Sequence, residues 1–167
     1  FLAGRDQVYP GQVLTIEQER DPIGSFQTGG YAYPFISRSL LDTTLPFMTY
    51  LMPFTYGFRP NGSLIKPEVG ALLEAAFRYQ TAPVMHLSTL TDGDVFSTAL
   101  AEDLLNSVPL QELLLRNIID TLRTSGYYGL DIDFEFLGRE NAQKYADFIT
   151  RARETLNPLG YPVLVAL

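Results

Sequence analysis

Gly126 Tyr127 Tyr128 Gly129 Leu130 Asp131 Ile132 Asp133 Phe134 Glu135 Phe136 is the stretch on which both the fold and the chemistry turn. With a strand period of two, Leu130, Ile132, Phe134 and Phe136 fall on one side and Asp131, Asp133 and Glu135 on the other. Neighbours in the acidic row then stand roughly 6 to 7 Å apart along the backbone, so their charges interact. The least costly relief is to hold one of the three protonated near neutral pH.

Outward from this row, short apolar segments alternate with helical patterns from Gly30 to the end of the chain. Strands are predicted over residues 31–36, 50–58, 83–87, 129–136 and 162–167. Between the second and third, Pro67 suits a first helical position, and Val69, Leu72, Leu73, Ala76 and Phe77 recur at helical spacing. Helical stripes over 96–105 and 110–122 precede the acidic strand, with Gly126 as the stop, and a further helix over 139–156 follows it. This is an α/β pattern with a parallel sheet. It reads as a (β/α)8 TIM barrel of which the first five strands and about four crossover helices are present, with an open doubly wound sheet as the rival. Strands between crossover helices are covered on both faces, so three carboxylates on an inner face call for a function. On an exposed edge strand they would simply meet water.

Composition removes several classes. With 12 Lys and Arg against 19 Asp and Glu, the net charge of -7 repels phosphate backbones and anionic lipid, so neither nucleic acid nor membrane is an expected partner. No cysteine is present, which excludes disulfides and thiolate chemistry. Asp-x-Asp with a nearby Glu also suits Mg²⁺ or Ca²⁺. A phosphate-cradling GxxxxGK[ST] loop is missing, however, and one histidine cannot build a zinc cluster, so no metal or cofactor is expected. The 10 Tyr and 11 Phe, without a single Trp, suit either a core or a sugar site. Residues 1–28 carry Gly and Pro punctuation around one short apolar stretch and read as a linker or the end of a preceding module. Their opening is neither a signal peptide nor a membrane span, and its lack of an initiator Met suggests a chain that begins inside a longer protein.

The run Tyr128 Gly129 Leu130 Asp131 Ile132 Asp133 Phe134 Glu135 resembles the DGxDxDxE signature on the fourth strand of glycoside hydrolase family 18, with Tyr128 in place of its first Asp. GGYAYPFI, TYLMPFTYGF with the following NGSL, and PVMHLSTL are similar to the spore-associated branch of that family. The resemblance covers residues 29–167 as the N-terminal part of a catalytic barrel. Tyr9 to Ile16 is similar to the end of a lysin motif, a peptidoglycan-gripping module that often precedes such barrels.

What the resemblance implies is a substrate-assisted glycosidase acting on N-acetylglucosamine polymers, either peptidoglycan of the spore cortex or chitin. Glu135 would protonate the leaving oxygen, Asp133 would orient the 2-acetamido group that attacks the anomeric carbon, and Asp131 would sit deeper and tune Asp133. Tyr31, Tyr33, Tyr56 and His86 fall where barrel strands deliver residues to the catalytic face and are candidates for sugar contacts, with the core as the other reading of each. A bacterial cell-wall, spore or secreted location follows. Two alternatives stay open: a sugar-binding module without catalysis, and an inactive fragment of the enzyme that self-associates through open barrel edges.

Overall fold

The structure, a computed structural model, describes Gly11, Val13, residues 24–135 and residues 137–166. The expected lysin-motif ending therefore lies outside the described residues, apart from Gly11 and Val13. Strand β1 (Gly29–Ala32) leads to helix α1 (Arg38–Thr44), whose first turn is capped by Ser37 accepting from the Leu40 N–H. Strand β2 (Tyr50–Pro53) is followed by an antiparallel pair, β3 (Gly57–Phe58) and β4 (Leu64–Ile65), and by helix α2 (Gly70–Tyr79). Strand β5 (Ala82–Ser88) then gives way to helices α3 (Thr98–Leu105) and α4 (Val108–Ser125), capped by Ser97 and Ser107. Strand β6 (Gly129–Asp133), helix α5 (Ala142–Leu156) and strand β7 (Val163–Val165) complete the described chain.

Strands β1, β2, β5, β6 and β7 are all parallel and hydrogen-bonded in that order. Each strand lies beside the one that precedes it across a helical crossover. A doubly wound sheet would reverse its order at a switch point. The sequential order here is that of an α/β barrel. Among the described residues β1 and β7 are the edges of this sheet.

Alternation along the strands divides the residues between two environments. Leu130, Ile132 and Phe134 of the acidic segment, with Met85 and Leu87 of β5, pack into one buried cluster with Leu104, Leu114, Ile118, Leu122, Phe148 and Ala152 from α3, α4 and α5. A second cluster lies under α1 and α2, around Ala32, Leu51, Leu72 and Ala76. Burial of these side chains, with each leucine, isoleucine, methionine or phenylalanine stabilising by about 1.5–3 kcal/mol, fixes which face of every strand meets the helices.

Several element boundaries differ from those predicted. The first strand stops at Ala32, and residues 33–36 form a turn closed by the Ile36 N–H donating to the Tyr33 carbonyl at 3.0 Å, with Pro34 unable to donate to a ladder. The second breaks at Pro53 for the same reason. The chain rejoins β5 at Tyr56, whose N–H donates to the His86 carbonyl at 2.9 Å, and then turns into the β3–β4 pair. Gly57 is required at that turn because a Cβ would collide with the Leu90 carbonyl oxygen. Helix α2 begins three residues after Pro67, at Gly70. Gly126 closes α4 in the left-handed region, with φ 72°.

Phe148 is fully buried and stacks on Phe134 at 5.8 Å with an interplanar angle of 9°. Phe148→Ala is expected to cost about 3–5 kcal/mol of stability. Phe47→Ala, at a site 82% exposed, should stay within about 0.5 kcal/mol of the wild type. Urea midpoints at unchanged m measure both.

Candidate active site

The acidic row begins on β6 and climbs out of the protein. Asp131 is paired in register with His86 of β5, and Asp133 with Ser88, so all four side chains leave the sheet on the face away from the helices. The Asp131 side chain is 4% exposed and that of Asp133 18% exposed. Glu135 lies two residues past the end of β6, in a turn, and is exposed. The strand thus supplies two of the three carboxyl positions and the turn supplies the third. Phe136 lies outside the described residues.

Tyr31 of β1 donates its hydroxyl to Asp131 Oδ2 at 3.1 Å across a sequence separation of 100 residues. Three strand spacings separate β1 from β6, roughly 14 Å in a flat sheet, which is more than the two side chains span. The contact exists because the sheet curls toward this face, as barrel strands do.

His86 is fully buried. Its Nε2 lies 3.2 Å from Asp133 Oδ2 and 3.9 Å from Asp131 Oδ2, and its Nδ1 lies 2.6 Å from Thr55 Oγ1. The Phe54 ring stacks on it at 4.9 Å, and the Tyr31 ring meets it edge-on at 5.0 Å. The Phe54–Thr55 peptide is cis.

Electrostatics follows from this packing. Burial raises the Asp131 carboxyl above the usual carboxylate range, while His86 and the Tyr31 hydrogen bond pull it back down and the charge of Asp133 pushes it further up. Burial lowers His86 below the ordinary imidazole value, opposed chiefly by Asp131 and Asp133, with Glu135 adding a smaller effect. Tyr31 is pushed up to about 12, first by burial of its hydroxyl end and then by the charge of Asp131, although half of the residue is exposed.

A cleft of about 700 Å³ opens beside the row, lined by Tyr31, Asp133, Glu135, Arg139 and Tyr145 among others. Asp133, Glu135 and Tyr31 therefore meet in one space, with Asp131 beneath it. Tyr33 stands on an exposed aromatic rim, stacked on Phe35 at 5.1 Å and against Phe54 at 4.9 Å, and does not line the cleft. Tyr56 is 2% exposed, and its hydroxyl accepts from that of Tyr127 at 3.2 Å, so it belongs to the helix-side core and has no surface to offer a sugar. Direct sugar contact does not fit His86 either, because its ring is sealed on every side.

Sequence reading missed Thr55, Phe54, Arg139 and Tyr145. The first two fall where a continuous strand was predicted, and nothing in their spacing marks them. Tyr145 lies in the apolar stripe of α5, stacks on Phe134 at 5.7 Å and donates to the Ile132 carbonyl at 3.4 Å. A phenol among aliphatic residues was its signal. Among the described residues, no group of three or more His, Cys, Asp or Glu is arranged to hold a metal ion.

No family model matches the chain. The cortical fragment-lytic enzyme of Bacillus subtilis strain 168 is 29% identical to it over 122 residues, 73% of this chain and 28% of that protein. The crystal structure of the spore cortex-lytic enzyme SleL of Bacillus megaterium QM B1551 matches with a TM-score of 0.79 at 25% identity, over 84% of this chain and 34% of the other. A chitinase of Chromobacterium violaceum shares the fold alone, with a TM-score of 0.73 at 14% identity over 84% of this chain and 45% of that one. The chain thus spans about a third of the length of the cortex-lytic relatives it matches. Its fold is that of the family 18 glycoside hydrolases. Within that fold it resembles the spore cortex-lytic branch, as the acidic strand and its flanking motifs lead one to expect.

A carboxyl whose folded value is raised favours the fold below its unfolded value of 3.8, and that contribution is lost as pH rises through the folded value. Asp131→Asn should therefore stabilise the chain at pH 7, and the gain should shrink as pH falls toward 3.8. Urea midpoints across that range test the sign.

Proposed function

We propose that these residues form the acidic part of the active site of a glycoside hydrolase that cleaves β-1,4 bonds next to N-acetylglucosamine in spore-cortex peptidoglycan. The observation that carries this reading is the graded row on the fourth strand of the sheet, with Asp131 buried beneath Asp133 and Glu135, which face one cleft. The names of the cortex-lytic relatives support the polymer, and chitin stands second because the chitinases share only the fold.

Glu135, exposed at the rim, gives its proton to the glycosidic oxygen as the bond from that oxygen to the anomeric carbon breaks. The carbonyl oxygen of the substrate's own 2-acetamido group bonds to the same carbon and closes an oxazolinium ring. Asp133 accepts the acetamido N–H and offsets the positive charge that grows on the ring. Glu135, now a carboxylate, takes a proton from water, and the resulting hydroxide opens the ring with overall retention. No enzymic nucleophile is needed, which sets this scheme apart from the usual pair of carboxyls about 5 to 5.5 Å apart. The same reading puts the protein at the spore wall. Among the described residues no helix is long and apolar enough to cross a membrane.

In the whole protein that carries these residues, Glu135→Gln should lower release of soluble muropeptides from cortex fragments by about 10²–10⁴-fold while binding of the fragments persists. Chromatography of the digest with a pull-down of the same fragments measures both. Undiminished release would sink the assignment, and binding without release by the wild type would leave a sugar-binding module.

A further inference from the structure

We propose that His86 is a positioning residue: a neutral imidazole protonated at Nε2, it holds one oxygen of Asp133 and leaves the other for the cleft, with Thr55 selecting that tautomer. Its catalytic consequence rests on the glycosidase reading above, whereas the hydrogen bond itself does not.

An ionised carboxylate only accepts hydrogen bonds, so the 3.2 Å contact between Asp133 Oδ2 and Nε2 places a proton on Nε2. The Thr55 hydroxyl lies 2.6 Å from Nδ1, closer than to its other acceptors, Ser88 Oγ at 3.0 Å, the Tyr56 carbonyl at 3.2 Å and the His86 carbonyl at 3.4 Å. A neutral ring protonated at Nε2 offers a lone pair at Nδ1, and Thr55 satisfies it. The charged alternative would require Nδ1–H to donate to Thr55, with the whole cation sealed from water.

The groups that face the ring are Asp131 and Asp133 from β6, Tyr31 from β1, and Thr55 and Phe54 from the segment after β2, with Ser88 of β5 hydrogen-bonded to Thr55 and Glu135 at the rim. Three of these are carboxyls and favour the cation, but complete burial outweighs them. The ring cannot swing away, because Phe54 covers one face and Tyr31 meets it edge-on. Asp131 meanwhile has its own donor in the Tyr31 hydroxyl. Each aspartate is thus served separately, and the one that borders the cleft is anchored by a group that never meets substrate.

In the whole protein, the imidazole signals that His86→Gln removes from a long-range ¹H–¹⁵N spectrum belong to His86, the one histidine of these 167 residues, and they read its tautomer. The expected result is a single Nε2–H pattern that persists below the ordinary imidazole value of about 6.5. Thr55→Val should blur it toward a tautomer mixture. An Nδ1–H pattern, or titration like an exposed imidazole, overturns the proposal. In the whole protein, His86→Leu should lower kcat about tenfold or more with KM changed less than about twofold, and His86→Gln, whose amide N–H reproduces the Nε2 donor, should recover most of the loss. Equal loss in both variants, or a change in KM alone, also overturns it. Failure of the glycosidase reading looks different: wild-type protein without turnover, in a chain that still shows the Nε2–H tautomer.

Discussion

Burying a carboxyl group is costly unless donors meet it, and the inner face of this sheet is organised around that constraint at Asp131. The residue is 3% exposed, and what it needs comes from the far end of the described chain, where the Tyr31 hydroxyl reaches it across two intervening strands. That reach demands curl. A flat sheet would strand Asp131 and Tyr31 too far apart to meet, so the same hydrogen bond that satisfies the carboxyl also records the curvature that makes a cleft.

The opposite face explains why the acids are where they are. Leu130, Ile132 and Phe134 are drawn into the cluster beneath α3, α4 and α5. Their burial commits the alternate positions to the inside of the curl, and a slip of one residue would reverse every side chain. Pairing of β5 with β6 then places His86 beside Asp131 and Ser88 beside Asp133. The chemistry is therefore fixed by hydrophobic packing on the other side of the strand rather than by attraction among the polar groups.

How much of this the amino acids disclosed depends on range. The period-two run at Leu130 to Phe134 and the helical stripes of α4 and α5 are local, and their faces could be read directly. The order of the strands was less accessible, since the alternation of strand and helix suits a barrel and a doubly wound sheet alike. Positions that depend on where the backbone leaves a strand were misread. Tyr56 looked like a mouth residue while the strand was taken to run unbroken to 58, yet the break at Pro53 turns its ring into the core. Thr55 carries no signal in its own neighbourhood, because its partner His86 is 31 residues away. His86 itself was singled out, but its complete burial changes its role from contact to support.

Three carboxyl groups so close together are tolerated here because each is relieved in a different way. Asp131 has left the solvent and leans on Tyr31, with His86 further off at 3.9 Å. Asp133 divides itself, with one oxygen on His86 and a side chain 18% exposed at the cleft. Glu135 has passed the end of the strand and stands in water. A ligand entering the cleft would strip water from the second and third and leave the first untouched. Desolvation strengthens the electrostatic interactions of whatever groups remain. On the proposed glycosidase reading, the two outer acids are thus the ones whose surroundings a bound substrate changes, while Asp131, already buried and already hydrogen-bonded to Tyr31, keeps its own.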